Sequence, residues 1–297
     1  MKKLPFLYII LAGISWGSSG IFVHYLAPWG FSSMQMAALR GSISFCALAL
    51  FALIRDRSLF RIRLSDALLF LCIGTSMFCS ATFYYSSMQM TSVSTAVVLM
   101  YTAPVYVSIV SAIFFGERFS RLKLLAVVLM LVGCCLVSGI VGGLRFDLVG
   151  IIFGALSGVS YATYNVLTKW ALRRGTRPLS ASLYSFLFMA VISVSACKPW
   201  EIPALIAQNP PTLIPLVLGL GIFTYILPFV LYTLAMKDLP AGTASALGIV
   251  EPMAATLFSV ILFDEKLSVF SLGGILLILL SVLLLSRAET DTSSDKS

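Results

Sequence analysis

The sequence predicts an all-α membrane protein of ten transmembrane helices, built as two five-helix repeats of inverted topology. Three observations carry that expectation. The 297-residue chain is 59% hydrophobic and only 11% charged, with a mean hydropathy of +1.01, more apolar surface than one soluble core could hide. Apolar stretches recur, each long enough to cross the ~30 Å of bilayer hydrocarbon as a helix. The second half also repeats features of the first at a nearly constant offset.

The stretches fall at 6–26, 32–54, 65–88, 92–115, 121–140, 147–169, 179–198, 212–235, 240–263 and 269–286. The first reads as a span and not a cleaved signal peptide: its apolar run is long, no A-x-A-like site closes it, and nine more follow. Connections are short except 55–64 and 170–178, the two most basic. Gly139–Phe146, holding Gly139, Gly142 and Gly143, is the expected joint between a repeat at 6–140 and one at 147–286. A polar tail follows at 287–297 and is expected to be disordered from Glu289. No region leaves room for an extramembrane catalytic or nucleotide-binding domain, which argues against ATP-driven pumping by this chain alone.

The net charge of +8 is a topology signal, not a nucleic-acid surface. With the N-terminus inside, the inner side receives sixteen of the twenty lysines and arginines. The outer side receives Arg145, Lys198 and Lys266, and Arg40 lies within a span. That bias places both termini inside. Five spans per half is odd, so the second half enters from the opposite side and Glu117 and Glu265 face opposite compartments. Cys46, Cys72, Cys79, Cys134, Cys135 and Cys197 all fall in apolar spans without metal-ligand spacing, and read as small hydrophobes. Neither a metal nor a cofactor is expected.

The repeat is most informative where it is polar or structurally special. At offset 148, Phe115-Gly116-Glu117-Arg118-Phe119-Ser120 lies over Phe263-Asp264-Glu265-Lys266-Leu267-Ser268, Pro104 over Pro252, and Thr95-Ala96 over Thr243-Ala244. At offset 145, Leu11-Ala12-Gly13-Ile14-Ser15-Trp16 lies over Leu156-Ser157-Gly158-Val159-Ser160-Tyr161. Small residues there let helices approach closely in lipid. Glu117 and Glu265 read as turn residues, with Ser120 and Ser268 placed to cap the next helices.

Thr102-Ala103-Pro104 with the Phe-Gly-Glu-Arg turn, Leu247-Gly248-Ile249-Val250-Glu251-Pro252, Leu39-Arg40 and Trp16-Gly17 together resemble the drug/metabolite transporter superfamily. Within it the chain is similar to the EamA family over about residues 6–286. The resemblance implies a ten-helix inverted-repeat carrier, often an exporter of amino acids or other small metabolites, and does not name the substrate.

Glu251 is the first candidate for mechanism. An ionisable group at mid-span is costly unless paired, protonated or hydrated. Pro252 beside it removes the N–H that would bond the carbonyl of Gly248. Such a carboxylate suits proton coupling or amine binding; a structural bond to a neighbouring helix is the alternative. Arg40, about 12 Å from the outer end of its span at ~1.5 Å per residue, is either an anchor for a substrate carboxylate or a structural partner of Glu251 or of helix carbonyls. Trp16, Tyr84, Tyr101 and Tyr161 are expected to line a cavity, ahead of the other mid-span tyrosines Tyr85, Tyr164, Tyr225 and Tyr232. Asn165 is a further polar contact, lining the substrate cavity or bonding between helices, Pro104 and Pro252 are expected flexible points of the gating helices, and His24 reads as interfacial. Trp29, Trp170 and Trp200 suit the membrane interface.

The functional expectation is a secondary transporter in the cell (inner) membrane, exporting amino acids or related amphiphiles around a midplane site, with coupling to protons through Glu251 or none. Its partners are a small-molecule substrate and the bilayer, with no nucleic acid and no signal for an oligomeric state. A nucleotide-sugar carrier is disfavoured because a dianion needs more cations than Arg40 supplies. An intramembrane enzyme lacks the usual clusters of acids, histidines or a Ser/Lys dyad. An uncoupled exchanger, or a non-transporting membrane partner protein, is the remaining alternative.

Overall fold

The structure, a computed structural model, describes residues 4–91, 96, 99–116, 120–137, 147–263 and 268–294. Every regular element among the described residues is helical. Glu117, Glu265 and the whole of the expected joint at Gly139–Phe146 lie outside the described residues. Among the described residues, seven helical runs are long and apolar enough to cross a membrane: Leu4–Trp29, Met34–Arg55, Asp66–Ser87, Leu148–Arg173, Pro178–Ala196, Pro210–Asp238 and Ala241–Leu262. Of the other three expected spans, 92–115 and 121–140 run into undescribed residues. The last lies within the helix Val269–Ser294.

The chain enters as α1 (Leu4–Gly17) and α2 (Ser19–Leu26), interrupted at Ser18, whose hydroxyl donates to the Ser15 carbonyl at 2.7 Å. Helix α3 (Ser33–Arg55) starts at a full capping box between Ser32 and Gln35. Next come α4 (Leu64–Met90), α5 (Ala103–Phe115) and α6 (Arg121–Val137). As expected, Ser120 caps α6, accepting from the Lys123 N–H at 3.2 Å. Asp147 caps α7 (Leu148–Arg173) through the Gly150 N–H at 2.7 Å. Helix α8 (Pro178–Ala196) opens on a proline, which costs nothing where the N–H has no intrahelical partner. Short α9 (Ile202–Ile206) leads to α10 (Pro210–Gly221), a π turn at Ile222–Ile226 and α11 (Leu227–Asp238). The chain ends with α12 (Ala241–Leu247), α13 (Val250–Phe263) and α14 (Val269–Ser294). The tail expected to be disordered is therefore helical as far as Ser294.

The main helix contacts join early elements to late ones. Helix α4 lies along α7, α3 along α8, α6 along α14, and α1 against α11 and α13. Each pair couples a helix before residue 138 to one after residue 147, so neither portion packs as a separate bundle. The apolar core reflects this, with Ile9, Phe70, Met130, Phe186 and Ile278 all fully or almost fully buried. Outward-facing Ile113, Phe114, Ile261 and Val269 are exposed, as lipid-facing side chains of a membrane bundle are.

At the basic end of the bundle the same cross-pairing is polar. Arg177 binds Asp56 at 2.6 Å and also donates to Ser58, Arg174 binds Asp66 at 3.3 Å, and the Tyr184 hydroxyl donates to the Phe60 carbonyl at 2.8 Å. Arg177 and the Ser58 bonds hold the Asp56 carboxyl down at about 2. A lowered carboxyl stabilises the fold above its ordinary pKa and loses that contribution as pH falls through the lowered value. The stability difference between native chain and Arg177→Gln is thus expected to be small at pH 7, because the pair is exposed, and to fade progressively between about pH 5 and pH 1. Thermal unfolding in detergent across that range checks it.

Lys169 has a structural role besides its charge. It is buried, and its ammonium donates to the Met236 and Leu239 carbonyls at 2.6 and 2.5 Å. A cation there satisfies the open carbonyls at the end of α11 and complements its dipole.

Candidate functional site

The two helix interruptions that matter most arise where the sequence places its paired prolines. Pro104 lies in the first turn of α5 and Pro252 in the first turn of α13. In that position the missing N–H breaks nothing. The breaks therefore lie upstream of the prolines, at the Tyr101-Thr102 and Gly248-Ile249 turns, and not as kinks at the prolines themselves. Thr102 supports its turn by donating to the Leu99 carbonyl at 2.6 Å, and the Glu251 N–H bonds the Gly248 carbonyl at 3.0 Å.

The repeated glycines explain how these turns are approached. A side chain at Gly158 of α7 would lie 2.9 Å from the Leu99 carbonyl oxygen and 3.2 Å from the Thr102 hydroxyl. Gly13 of α1 sits in the same way against Val250 and the Glu251 N–H, at 3.0 and 3.3 Å. Each first-of-half helix thus presses its glycine onto the broken helix of the other half.

Between the breaks lies a cavity with about 830 Å³ of open space. Glu251, in the first turn of α13, meets Tyr101 across it: the tyrosine hydroxyl donates to the carboxylate at 2.6 Å. A carboxylate also suits the positive N-terminal end of a helix. From α1, Trp16 packs edge-on to Phe229 at 5.1 Å and tilted against Tyr232 at 5.3 Å. Tyr84 and Tyr85 enter from α4, and Tyr161 and Tyr164, stacked at 5.9 Å, from α7. Met77, Met100 and Met189 complete an aromatic and thioether lining.

Arg40 enters from α3 and is 8% exposed. Its Nη2 donates to the Tyr85 hydroxyl at 2.5 Å, and its guanidinium carbon lies 5.9 and 5.8 Å from the Tyr85 and Tyr225 ring centres, within reach of cation–π attraction. Its Nε is buried without a hydrogen-bond partner among the described residues. The ion pairs among those residues join Arg174 to Asp66, Arg177 to Asp56 and Lys198 to Glu201. The expected alternative of a salt bridge from Arg40 to Glu251 is therefore not what this structure contains.

The structure brings Trp16, Arg40, Tyr84, Tyr101, Tyr161 and Glu251 to one cavity. Asn165 stands apart: it is fully buried behind the wall, donating to the Tyr161 carbonyl and accepting from the Tyr232 hydroxyl. His24 lies near the end of α2, edge-on to Tyr25 at 5.3 Å. The sequence reading passed over Thr224, Met189 and Phe229, and ranked Tyr225 low. The π turn explains Tyr225: the Leu227 N–H reaches back to Ile222, and Ser44 donates to the Gly221 carbonyl at 3.3 Å. One extra residue in the turn sets Thr224 and Tyr225 on the cavity wall. Pro228, just beyond it, was the legible sign.

Known proteins agree with this architecture. The model of the EamA-like transporter family matches residues 3–139 and again 148–287. The chain belongs to the EamA-like transporter family. It is 32% identical over 279 residues to an "Uncharacterized transporter" of Archaeoglobus fulgidus, covering 94% of this chain and 95% of that one. It is 25% identical to the "Uncharacterized transporter YwfM" of Bacillus subtilis, covering 95% and 93% of the two chains. A solved crystal structure of a protein 18% identical superposes with a TM-score of 0.82 over 97% of this chain and 98% of the other, a likeness of fold. This EamA-like protein is thus a multi-pass membrane transporter acting on a small molecule.

Proposed function

We propose that this transporter exports amino acids or related amphiphiles across the cell's inner membrane in exchange for protons, by alternating access around the central cavity. Ten spans form two inverted five-helix repeats, at 6–140 and 147–286, with both termini cytoplasmic. The two segments matched by the family model and the reciprocal contacts α4–α7 and α1–α11 support that symmetry. Rocking one repeat against the other then opens the cavity to either side.

The observation that carries the reading is the meeting of Tyr101 and Glu251 from two helix breaks, inside an aromatic cavity that also holds Arg40. A single carboxylate that takes either a proton or a substrate amine cannot hold both. Binding of one therefore releases the other, which is the requirement for antiport. The aromatic and thioether walls accept bulky apolar groups.

The test is transport of a labelled amino-acid panel by the purified chain in proteoliposomes, with and without an imposed proton gradient. Saturable transport that the gradient accelerates by about tenfold or more is expected. Saturable transport indifferent to the gradient would make the protein an uncoupled exchanger, and none at all would overturn the reading of the cavity.

A further inference from the structure

We propose that the basic end of the bundle binds one anionic phospholipid, with its phosphate on Arg57, between Arg55 and Arg61, and its acyl chains along the exposed end of α3. Such a site serves whichever leaflet this end meets, and needs neither the substrate nor the coupling proposed above.

The cations here have no acid of their own. Arg55 is the last residue of α3, Arg57 opens the 3₁₀ turn Arg57–Phe60, and Arg61 closes it. All three are exposed. The acids on either side are held by other arginines, Asp56 by Arg177 and Asp66 by Arg174, and none of the three has an ion pair among the described residues. An anion is what this turn lacks.

Arg57 shows where that anion would sit. Its Nε donates to the Leu53 carbonyl at 3.3 Å, one turn back along α3. The guanidinium is therefore bent back over the helix instead of extending away from it, with its Nη hydrogens left for a phosphate. Leu50, Leu53 and Ile54 of α3 are each more than half exposed, at the three- and four-residue spacing of a single helix stripe. In a bilayer that stripe meets acyl chains, and the headgroup of the same lipid lies at the level of the guanidinium. The turn itself is held from the second half of the chain. Arg177, just before α8, bonds Asp56 and Ser58, the two neighbours of Arg57. A lipid on Arg57 thus stabilises the junction between the 55–64 connection and the start of α8. Orientation by the positive-inside rule needs only the number of cations; it does not call for a guanidinium folded over an apolar stripe.

The purified chain in detergent would be titrated with dioleoyl phosphatidylglycerol, dioleoyl phosphatidylcholine or inorganic phosphate. Native mass spectrometry counts bound lipid, and thermal unfolding reports stability. Phosphatidylglycerol is expected to bind at least about tenfold more tightly than phosphatidylcholine, which has the same chains and no net charge, and to raise the unfolding temperature. Arg57→Gln is expected to weaken phosphatidylglycerol about fivefold, the effect of one cation at a lipid surface. Arg57→Lys, which keeps the charge without the fork, is expected to fall between. Lys237→Gln removes the same charge from an exposed position near the end of α11 and is expected to change nothing. Equal binding of the two lipids would overturn the proposal. So would an equal loss in Arg57→Gln and Lys237→Gln, which would mean diffuse surface charge, or equal stabilisation by inorganic phosphate, which would mean an anion site without a lipid. Should Arg57→Gln fail to fold, Arg61→Gln takes its place against Lys237→Gln. Transport enters none of these readouts, so a failure of the exchange reading leaves the result standing.

Discussion

Replacing Glu251 with glutamine is expected to reduce gradient-driven transport by about 100-fold, to background, while the protein still folds. Glutamine matches the size of glutamate, and its amide oxygen can still accept the Tyr101 hydroxyl that now sits 2.6 Å from the carboxylate. What it cannot do is bind and release a proton. Substrate affinity should also fall about tenfold, or ~1.4 kcal/mol, near the lower end for a hydrogen bond to a charged group. The two effects have separate readouts. Accumulation against a proton gradient reports coupling, and the KM of counterflow reports ammonium binding. Size-exclusion profile and thermal unfolding confirm that the variant is intact. Accumulation within about threefold of the native protein would remove Glu251 from the coupling reaction and leave it as a substrate contact.

The sequence made Glu251 legible because charge is rare at mid-span, and the same rule exposed Arg40. The period and length of the apolar stretches were equally readable, since crossing a bilayer leaves little choice of element. Tyr101 was found because it is an aromatic within a span and not at its end, where a polar tip needs a partner. Arg40's actual partner was not. A buried guanidinium demands an acceptor, but sequence offered Glu251 as readily as Tyr85, and only packing distinguishes a carboxylate across the cavity from a hydroxyl beside it. Asn165 was legible only as a polar contact in a cavity or between helices; packing shows it bracing Tyr161 and Tyr232. The structural role of Lys169 was not legible, because a basic residue at a span's inner end shows its charge in the sequence but not the carbonyls of Met236 and Leu239 it holds. The π turn that orients Tyr225 depends on one inserted residue, which no apolar periodicity records.

Gly17→Ala is expected to lower the unfolding temperature by about 3–10 °C and to impair transport. A side chain at Gly17 would lie 2.8 Å from the Ala254 Cβ, 2.8 Å from the Ala255 nitrogen and 2.9 Å from the Glu251 carbonyl oxygen. Two of these atoms are backbone and cannot rotate away, so α1 must move off α13. Overpacking of this kind costs about 1–3 kcal/mol, and each kcal/mol shifts the midpoint by roughly 2–4 °C in a chain of this order of size. The functional loss follows from place. The displaced carbonyl belongs to Glu251 itself, and Trp16 on the cavity wall is the residue before Gly17. Gly20→Ala is the control, because nothing lies within 4 Å of a side chain there; alanine in α2 should be neutral or slightly stabilising. Parallel unfolding and counterflow measurements on both variants separate the cases. Equal stability of Gly17→Ala and Gly20→Ala, with native transport in both, would mean that α1 does not press on α13 at the acid. Loss of transport in Gly17→Ala at nearly native stability would instead mean that the close contact sets where Glu251 stands in the cavity.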